Sequence, residues 1–380
     1  MTPLRRSLTL AILGVLMTTP VPVWAACQIQ ELAQLDLIGR PLRPAVKATI
    51  NGHPVTLGLD TGSFPSLLFE SGAAHVGLQP GAHVGYAYGF GGRSNLSVAT
   101  ADTLNVGGVI GRHVVFLVPQ QTSDFEIDGV LGASVLLNSD LEFDMPEQTV
   151  RFMRSHDCVG DSVVYWRQPY AVLPLLGAAD RGLMVMVRVN GHPVRAIIDS
   201  GSPRSSLDVD AARSVGVPLP DSRSGNGQTM GGIGPGEFQA VLGQMASFAF
   251  GDEVIHDTKI LVAPLDRFLK AQAFGSNVPS AAVGYGEEMY LGADFLRAHR
   301  VYVSESQRRV YISYEGGQVF DISDLTAPKR PGQPRPRPAP APIPSSPPPI
   351  PRPPPPRAAE GSDIPPWVSS PQPEAATTPK

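Results

Sequence analysis

The sequence predicts an all-β fold: two closed β-barrel lobes related by a pseudo-twofold axis, each with a short helix, followed by a disordered proline-rich tail. The first observation is a duplication. Residues 49–63 read TINGHPVTLGLDTGS and residues 188–202 read RVNGHPVRAIIDSGS, so that Asn51 and Asn190, and Asp60 and Asp199, stand 139 positions apart. The second is periodicity. Short apolar or alternating runs (VKATI, HVVFLV, VMVRV, KILVA, RVYISY) are broken by Gly, Asn-Gly and Pro, the pattern of barrels and sandwiches. The third is composition: 327–380 is dominated by proline, which removes the backbone donor and fixes φ, so the segment is expected to be partly polyproline II.

Taken in order, the chain opens with Arg5 and Arg6, an apolar run from Leu8 to Met17, and Val23-Trp24-Ala25, the layout of a secretory signal peptide over 1–25. The run is shorter than the roughly 20 residues a span needs, so a periplasmic or secreted protein with no stable membrane span is expected. Cys27 and Cys158, the two cysteines of the chain, both survive cleavage after Ala25 or Ala26. In an oxidising compartment such a pair is expected to form a disulfide, here tying the mature N-terminus to the connection between the copies. A formal net charge of −4 points to neither nucleic acid nor a membrane surface as partner.

The N-terminal lobe is expected over 40–155, an interlobe linker over 156–180 and the C-terminal lobe over 181–316. In each lobe the Asp motif is followed by a short helical stretch, FESGAAHVGLQP or DVDAARSVGVPLP. A Gly-rich hairpin comes next, GYAYGFGGRS or TMGGIGPGEF. Gly91 and Gly231 differ by 140, which suggests one slipped residue. Each copy closes on an apolar-apolar-Gly run, VLGASVLLNSDLEFD or YLGADFLRAHRVYVS. The tail over 327–380 is a spacer or a ligand for a partner that reads Pro-rich segments.

This ordered set, Asp-Thr/Ser-Gly-Ser after an apolar strand, a Gly-rich hairpin and a closing apolar-apolar-Gly with a helix, resembles the aspartic peptidases. Each copy is similar to the retropepsin-like domain of exported bacterial proteins, and the Leu-Gly-Ala-Asp-Phe-Leu stretch at 291–296 is especially like it. Retropepsins carry one lobe per chain and dimerise, whereas this chain carries both, as pepsin-like enzymes do. The resemblance implies a monomer, no cofactor, no metal and a peptide or protein substrate.

The chemistry also follows from the residues. Asp60 and Asp199, face to face, cannot both ionise easily, so they share a proton and act on one water as base and acid. Gly62 and Gly201 let the two loops approach. The hydroxyls of Thr61 and Ser200 can lock the loops across the dyad, and Ser63 and Ser202 are placed to hydrogen-bond the outer carboxylate oxygens. The hairpins, with Gly91, Gly92, Gly231 and Gly232, are expected to be flaps that exclude water. Tyr86 or Tyr88 supplies an aromatic contact there, or serves packing alone. The alternative reading is a non-catalytic binder of peptide or envelope polymer.

Other chemistries lack residues. Asp124, Glu126, Asp128 and Gly129 mimic the start of a calcium loop, but Val135 stands where the closing Glu belongs. The histidines form no His-Glu-x-x-His pair, and His53 and His192 belong to the repeated turn. No Gly-x-Ser-x-Gly elbow occurs.

Overall fold

A computed structural model describes residues 27–40, 42–89, 91–120, 126–158, 160–177, 182–220, 228–232, 234, 236–265, 286–320 and 322. The expected signal peptide and proline-rich tail lie outside the described residues.

The first strand, β1 (Gln28–Asp36), precedes a hairpin of β2 (Ala45–Ile50) and β3 (His53–Asp60). Then come β4 (Leu67–Leu68), helix α1 (Glu70–His75), β5 (His83–Gly89), β6 (Gly92–Val106), β7 (Val109–Pro119), β8 (Gly129–Gly132) and helix α2 (Ala133–Leu136). The half ends on β9 (Asp140–Asp144) and β10 (Thr149–His156). After β11 (Ala171–Pro174) the order repeats as β12 (Met184–Val189), β13 (His192–Ile198), β14 (Ser206–Asp208), α3 (Val209–Ser214), β15 (Gln228–Gly231) and β16 (Glu237–Phe250). It finishes with β17 (Glu253–Ala263), β18 (Met289–Leu291), α4 (Ala293–Leu296), β19 (His299–Ser304) and β20 (Arg309–Tyr314).

The repeated Asn-Gly sets the register of both opening hairpins. Asn51 and Gly52 have φ of 51° and 81°, and Asn190 and Gly191 have 51° and 79°. Two successive positive φ values make a type I′ turn, whose twist matches the flanking strands. The Asn side chains also brace the turn: Asn51 Oδ1 accepts from Thr103 N–H, and Asn190 Oδ1 accepts from Ala246 N–H. His53 and His192 start the return strands and are exposed.

From these hairpins each half builds a sheet in the same order, β2-β3-β8-β4-β7-β6-β5 and β12-β13-β18-β14-β17-β16-β15. Pairing of β2 with β6 and of β12 with β16 closes each into a barrel, and β5 and β15 extend beyond it as hairpin edges. The parallel β3–β8 and β13–β18 pairs run through the lobe interior. Their residues are correspondingly apolar on both sides, with Leu57, Leu59, Ile198 and Leu291 at most 1% exposed.

A third sheet, β1-β10-β9-β19-β20-β11, joins the lobes through the antiparallel β9–β19 pair, where Phe143 faces Val301. One apolar core runs from lobe to lobe through it, including Phe143, Val150, Val301, Val303 and Ile312. Residues 156–180 are therefore more than a connection: β11 within them pairs with β20, and Val163 is fully buried. β1, β9 and β10 likewise serve the shared sheet instead of a barrel, because each finds its partner strand there.

Cys27 and Cys158, 131 positions apart, are bonded and pin β1 beside β10. A cross-link over so long a loop limits the unfolded chain most. Replacing both by Ser is expected to lower the unfolding free energy by roughly 2–4 kcal/mol, read from urea denaturation under non-reducing conditions.

Candidate active site

Asp60 ends β3 and Asp199 follows β13, and the parallel strand beside each fixes its place. Asp60 pairs with Gly132 of β8, and Asp199 N–H donates to Leu291 O of β18 at 2.9 Å. The two carboxyl groups meet across the lobe boundary, each against the glycine of the other's loop, close enough to share a proton. Each is also held by its own loop: Gly62 and Ser63 N–H donate to Asp60 Oδ1 at 3.1 and 3.0 Å, and Gly201 and Ser202 N–H donate to Asp199 Oδ1 at 2.9 and 3.2 Å.

The neighbouring hydroxyls lock the loops together. Thr61 Oγ1 donates to Ile198 O at 2.7 Å and accepts from Ser200 N–H at 3.0 Å. In mirror fashion Ser200 Oγ donates to Leu59 O at 2.9 Å and accepts from Thr61 N–H at 3.1 Å. All four bonds are buried, where an unmade partner costs most. The glycines show how tight the approach is. A Cβ on Gly62 would fall on the Asp199 carboxylate, and one on Gly201 would fall on that of Asp60.

Burial and mutual repulsion act together on this pair. Burial is the main force raising the Asp60 carboxyl well above its usual range, and the charge of Asp199 raises it further against the Ser63 and Gly62 N–H donors. Burial also raises Asp199, opposed chiefly by the Gly201 and Ser202 N–H groups. Such a pair holds one proton between its members over a wide pH range, and the titration belongs to the pair.

Each half also carries a Gly-rich hairpin, β5–β6 in the first and β15–β16 in the second. Their tips touch: Gly236 N–H donates to Gly91 O at 2.6 Å, and a Cβ on Gly91 would strike the Gly234 carbonyl.

Against this geometry the chain can be placed. The sequence model of the aspartyl protease family matches residues 46–135 and 185–295, one stretch in each lobe and together more than half of the chain. The chain belongs to the aspartyl protease family. Among solved structures it is similar to the crystal structure of an aspartic proteinase from Irpex lacteus, at 13% identity and a TM-score of 0.45, over 76% of this chain and 97% of that one. No curated protein matches it.

Within this member of the family several residues depart from the expected placement. The hydroxyls of Ser63 and Ser202 do not reach the carboxylates. They donate to Pro65 O at 2.9 Å and Arg204 O at 3.1 Å, staples within their own loops, and the backbone N–H groups bind the carboxylates instead. Tyr86 pairs with Asn95 in the first flap, on the face opposite Ala87 and Ser94. There it stacks on Arg93, 4.3 Å from ring centre to guanidinium, and edges against His83. It lines a recess of about 370 Å³ with Glu70, Pro80 and Gln120, away from the dyad. The side chain of Tyr88 lies outside the described residues.

The flap register differs too. Ile50 pairs with Leu104 and Val189 with Phe248, so equivalent positions on β6 and β16 are 144 apart; Gly231, opposite Glu237, is then the counterpart of Tyr88, opposite Arg93, at an offset of 143, and not of Gly91. Extra residues in the second copy ahead of its flap account for the shift. In the calcium-loop mimic, Asp124 lies outside the described residues. Asp128 braces the first barrel instead, accepting from Thr56 N–H at 2.8 Å and contacting His75 Nδ1 at 2.7 Å, and Glu126 meets Arg40. Gly92, with φ of 97°, opens β6, and Gly232 sits at the second tip beside Gly91.

A third buried carboxyl supports the second loop. Asp294 Oδ1 accepts from Ser205 N–H, Ser205 Oγ–H and Phe295 N–H at 2.7–2.9 Å, and Ser205 Oγ in turn accepts from Gly292 N–H. Burial raises the carboxyl to about 6, the Ser205 bonds opposing it. The folded chain thus binds this proton more tightly than the unfolded chain does. Its contribution to stability is full below the unfolded carboxyl range and is lost as pH rises toward about 6. Asp294→Asn, which keeps the acceptor, is expected to flatten that fall in urea unfolding between pH 4 and 6 (the window set by the shift).

Proposed function

We propose that the protein is an exported aspartic endopeptidase that hydrolyses peptide bonds with a water held between Asp60 and Asp199. What supports this reading most is the reciprocal packing of the two Asp-Thr/Ser-Gly loops, which brings two carboxyl groups close enough to share one proton. The ionised carboxylate takes a proton from water as its oxygen bonds to the peptide carbonyl carbon. The protonated carboxyl gives its proton to the carbonyl oxygen. On collapse a hydroxyl proton of the diol returns to the ionised carboxylate, the C–N bond breaks, and the nitrogen leaves with the other proton. The dyad ends with the one proton it began with.

The supporting residues divide by what they touch. Thr61 and Ser200 fix the distance between loops, and the N–H groups of Gly62, Ser63, Gly201 and Ser202 orient the carboxylates. The touching flap tips cover the site and would part for substrate. A binder would need neither acid nor the cost of burying both. Export is consistent with the Cys27–Cys158 bond, and no helix among the described residues is long and apolar enough to cross a membrane. Incubating the purified mature chain with a proteome-derived peptide library and sequencing the new termini tests the proposal. New termini that depend on both aspartates are the expected result; intact peptides across acidic and neutral pH would reject it.

A further inference from the structure

The two halves of the cleft are unlike in one place. Alignment through the paired strands sets Gly58–Val130 against Ile197–Tyr290, so Tyr290 stands where the first lobe has Val130, and Glu287 where it has Ile127. In the first lobe Ile127 and Val130 both pack on Gly58. In the second, Tyr290 donates its hydroxyl to Glu287 Oε1 at 3.0 Å.

Both residues lie off the barrel core, on the side of the second hairpin. Met289 and Leu291 point into the barrel core, so Tyr290 between them points the other way. There it packs in a separate apolar cluster with Phe238 and Met230, which pair across the second flap, and with Ala240 and Leu261 of the strands below. The first flap has Ser94 and Ala87 in the places of Phe238 and Met230. Tyr290 also lies close to the dyad: its neighbour Leu291 accepts the Asp199 N–H bond. The fields of Glu287, Asp199 and Asp60, after burial itself, all push its phenol upward.

The observation that asks for a ligand is the other oxygen of Glu287. Oε2 is buried and has no hydrogen-bond partner among the described residues. A buried carboxylate oxygen without a donor is costly, and it is satisfied best by a charged donor. We propose that Glu287 and Tyr290 form a specificity subsite in the C-terminal half of the cleft that takes a lysine or arginine side chain flanking the scissile bond. The apolar wall of Met230, Phe238 and Tyr290 carries the alkyl stem, and Glu287 Oε2 receives the cationic end. The first-lobe counterpart, with Ile127 and Val130, takes an apolar side chain.

This inference rests on the peptidase reading, and its test separates the two. Cleavage sites in a peptide library are profiled for the wild-type chain and for Glu287→Gln, and the rates for matched lysine and norleucine peptides are compared as a ratio within each protein. That ratio does not depend on how much of a variant is folded. Basic residues are expected to be enriched at one of the two positions flanking the bond. In Glu287→Gln the lysine-to-norleucine ratio should fall about 10- to 100-fold, the worth of a hydrogen bond to a charged group. Cleavage without basic enrichment, or enrichment that survives Glu287→Gln, overturns the inference. A second arm measures which library peptides are retained by Asp60→Asn. Lysine- or arginine-rich retention without any cleavage by the wild-type chain would remove the peptidase reading and uphold the subsite, whereas retention with no basic preference would overturn the subsite.

Discussion

Replacing Asp60 by Asn is expected to lower kcat/KM by at least about 10³-fold, the order of a full general acid–base contribution, and replacing Asp199 by Asn should do the same. The reason is arithmetic in protons. The reaction needs one carboxylate to accept from water and one carboxyl to donate, and an amide can do neither. Because the pair acts as a unit, the double variant should be little worse than either single one. The fold should survive, since Asn keeps an acceptor for the paired N–H groups of Gly62 and Ser63 or of Gly201 and Ser202. Each variant should in fact be the more stable at neutral pH. Both carboxyl groups are raised on folding, so the wild-type dyad loses stability as pH climbs past the usual carboxylate range, and removing one repulsive member relieves that loss. Urea unfolding at acidic and neutral pH checks the sign.

The second large effect concerns the joint between the lobes. Glu142 lies on β9 with a side chain of 0% exposure, and it accepts from Arg151 Nη1 at 2.6 Å, from Arg300 Nη2 at 2.8 Å and from the Tyr165 hydroxyl at 2.6 Å. Arg300 stacks 4.4 Å over Trp166 as well. Arg151 comes from the N-terminal half and Arg300 from the C-terminal half, so one carboxylate holds both lobes and the segment before β11. Glu142→Ala leaves two largely buried guanidinium groups with one buried carboxylate between them, Asp144 at 3.5 Å from each. The expected loss is about 3–5 kcal/mol, a large share of what a folded chain usually has to spare. Replacing Glu142, Arg151 and Arg300 together by apolar residues should recover most of it, because the cost lies in the unpaired charges. A loss below about 1 kcal/mol for Glu142→Ala in urea titration would mean that solvent screens the cluster.

The parts of this fold that were readable in the sequence are the local and repeated ones. The Asn-Gly turns, the apolar strand into Asp-Thr/Ser-Gly and the closing Leu-Gly are short-range patterns, and their constant spacing marks Asp60 and Asp199 as equivalent. The joining sheet was not readable, since β1, β10, β9, β19, β20 and β11 find each other over separations that no local period records. For the same reason 156–180 looked like a connection although β11 and Tyr165 are bound into the sheet. The sequence does not decide where the hydroxyls of Ser63 and Ser202 bond, because so short a side chain reaches either the carboxylate or the next carbonyl, and the tight loop selects Pro65 O and Arg204 O. Glu287 and Tyr290 do not stand out in the repeat, because they are where the two copies differ. The signal existed: setting IDGVLG at 127–132 against EEMYLG at 287–292 shows Glu for Ile and Tyr for Val.

In the proposed enzyme one chain supplies both halves of one active site. Mixing equal amounts of the Asp60→Asn and Asp199→Asn proteins and assaying cleavage of a substrate that the wild-type chain cuts tests this. If the dyad forms within a chain, the mixture stays as inactive as either variant alone, at every concentration. Recovery of activity on mixing would place the two aspartates of a working site on different chains, and activity in either variant alone would show that the pair is not the catalyst.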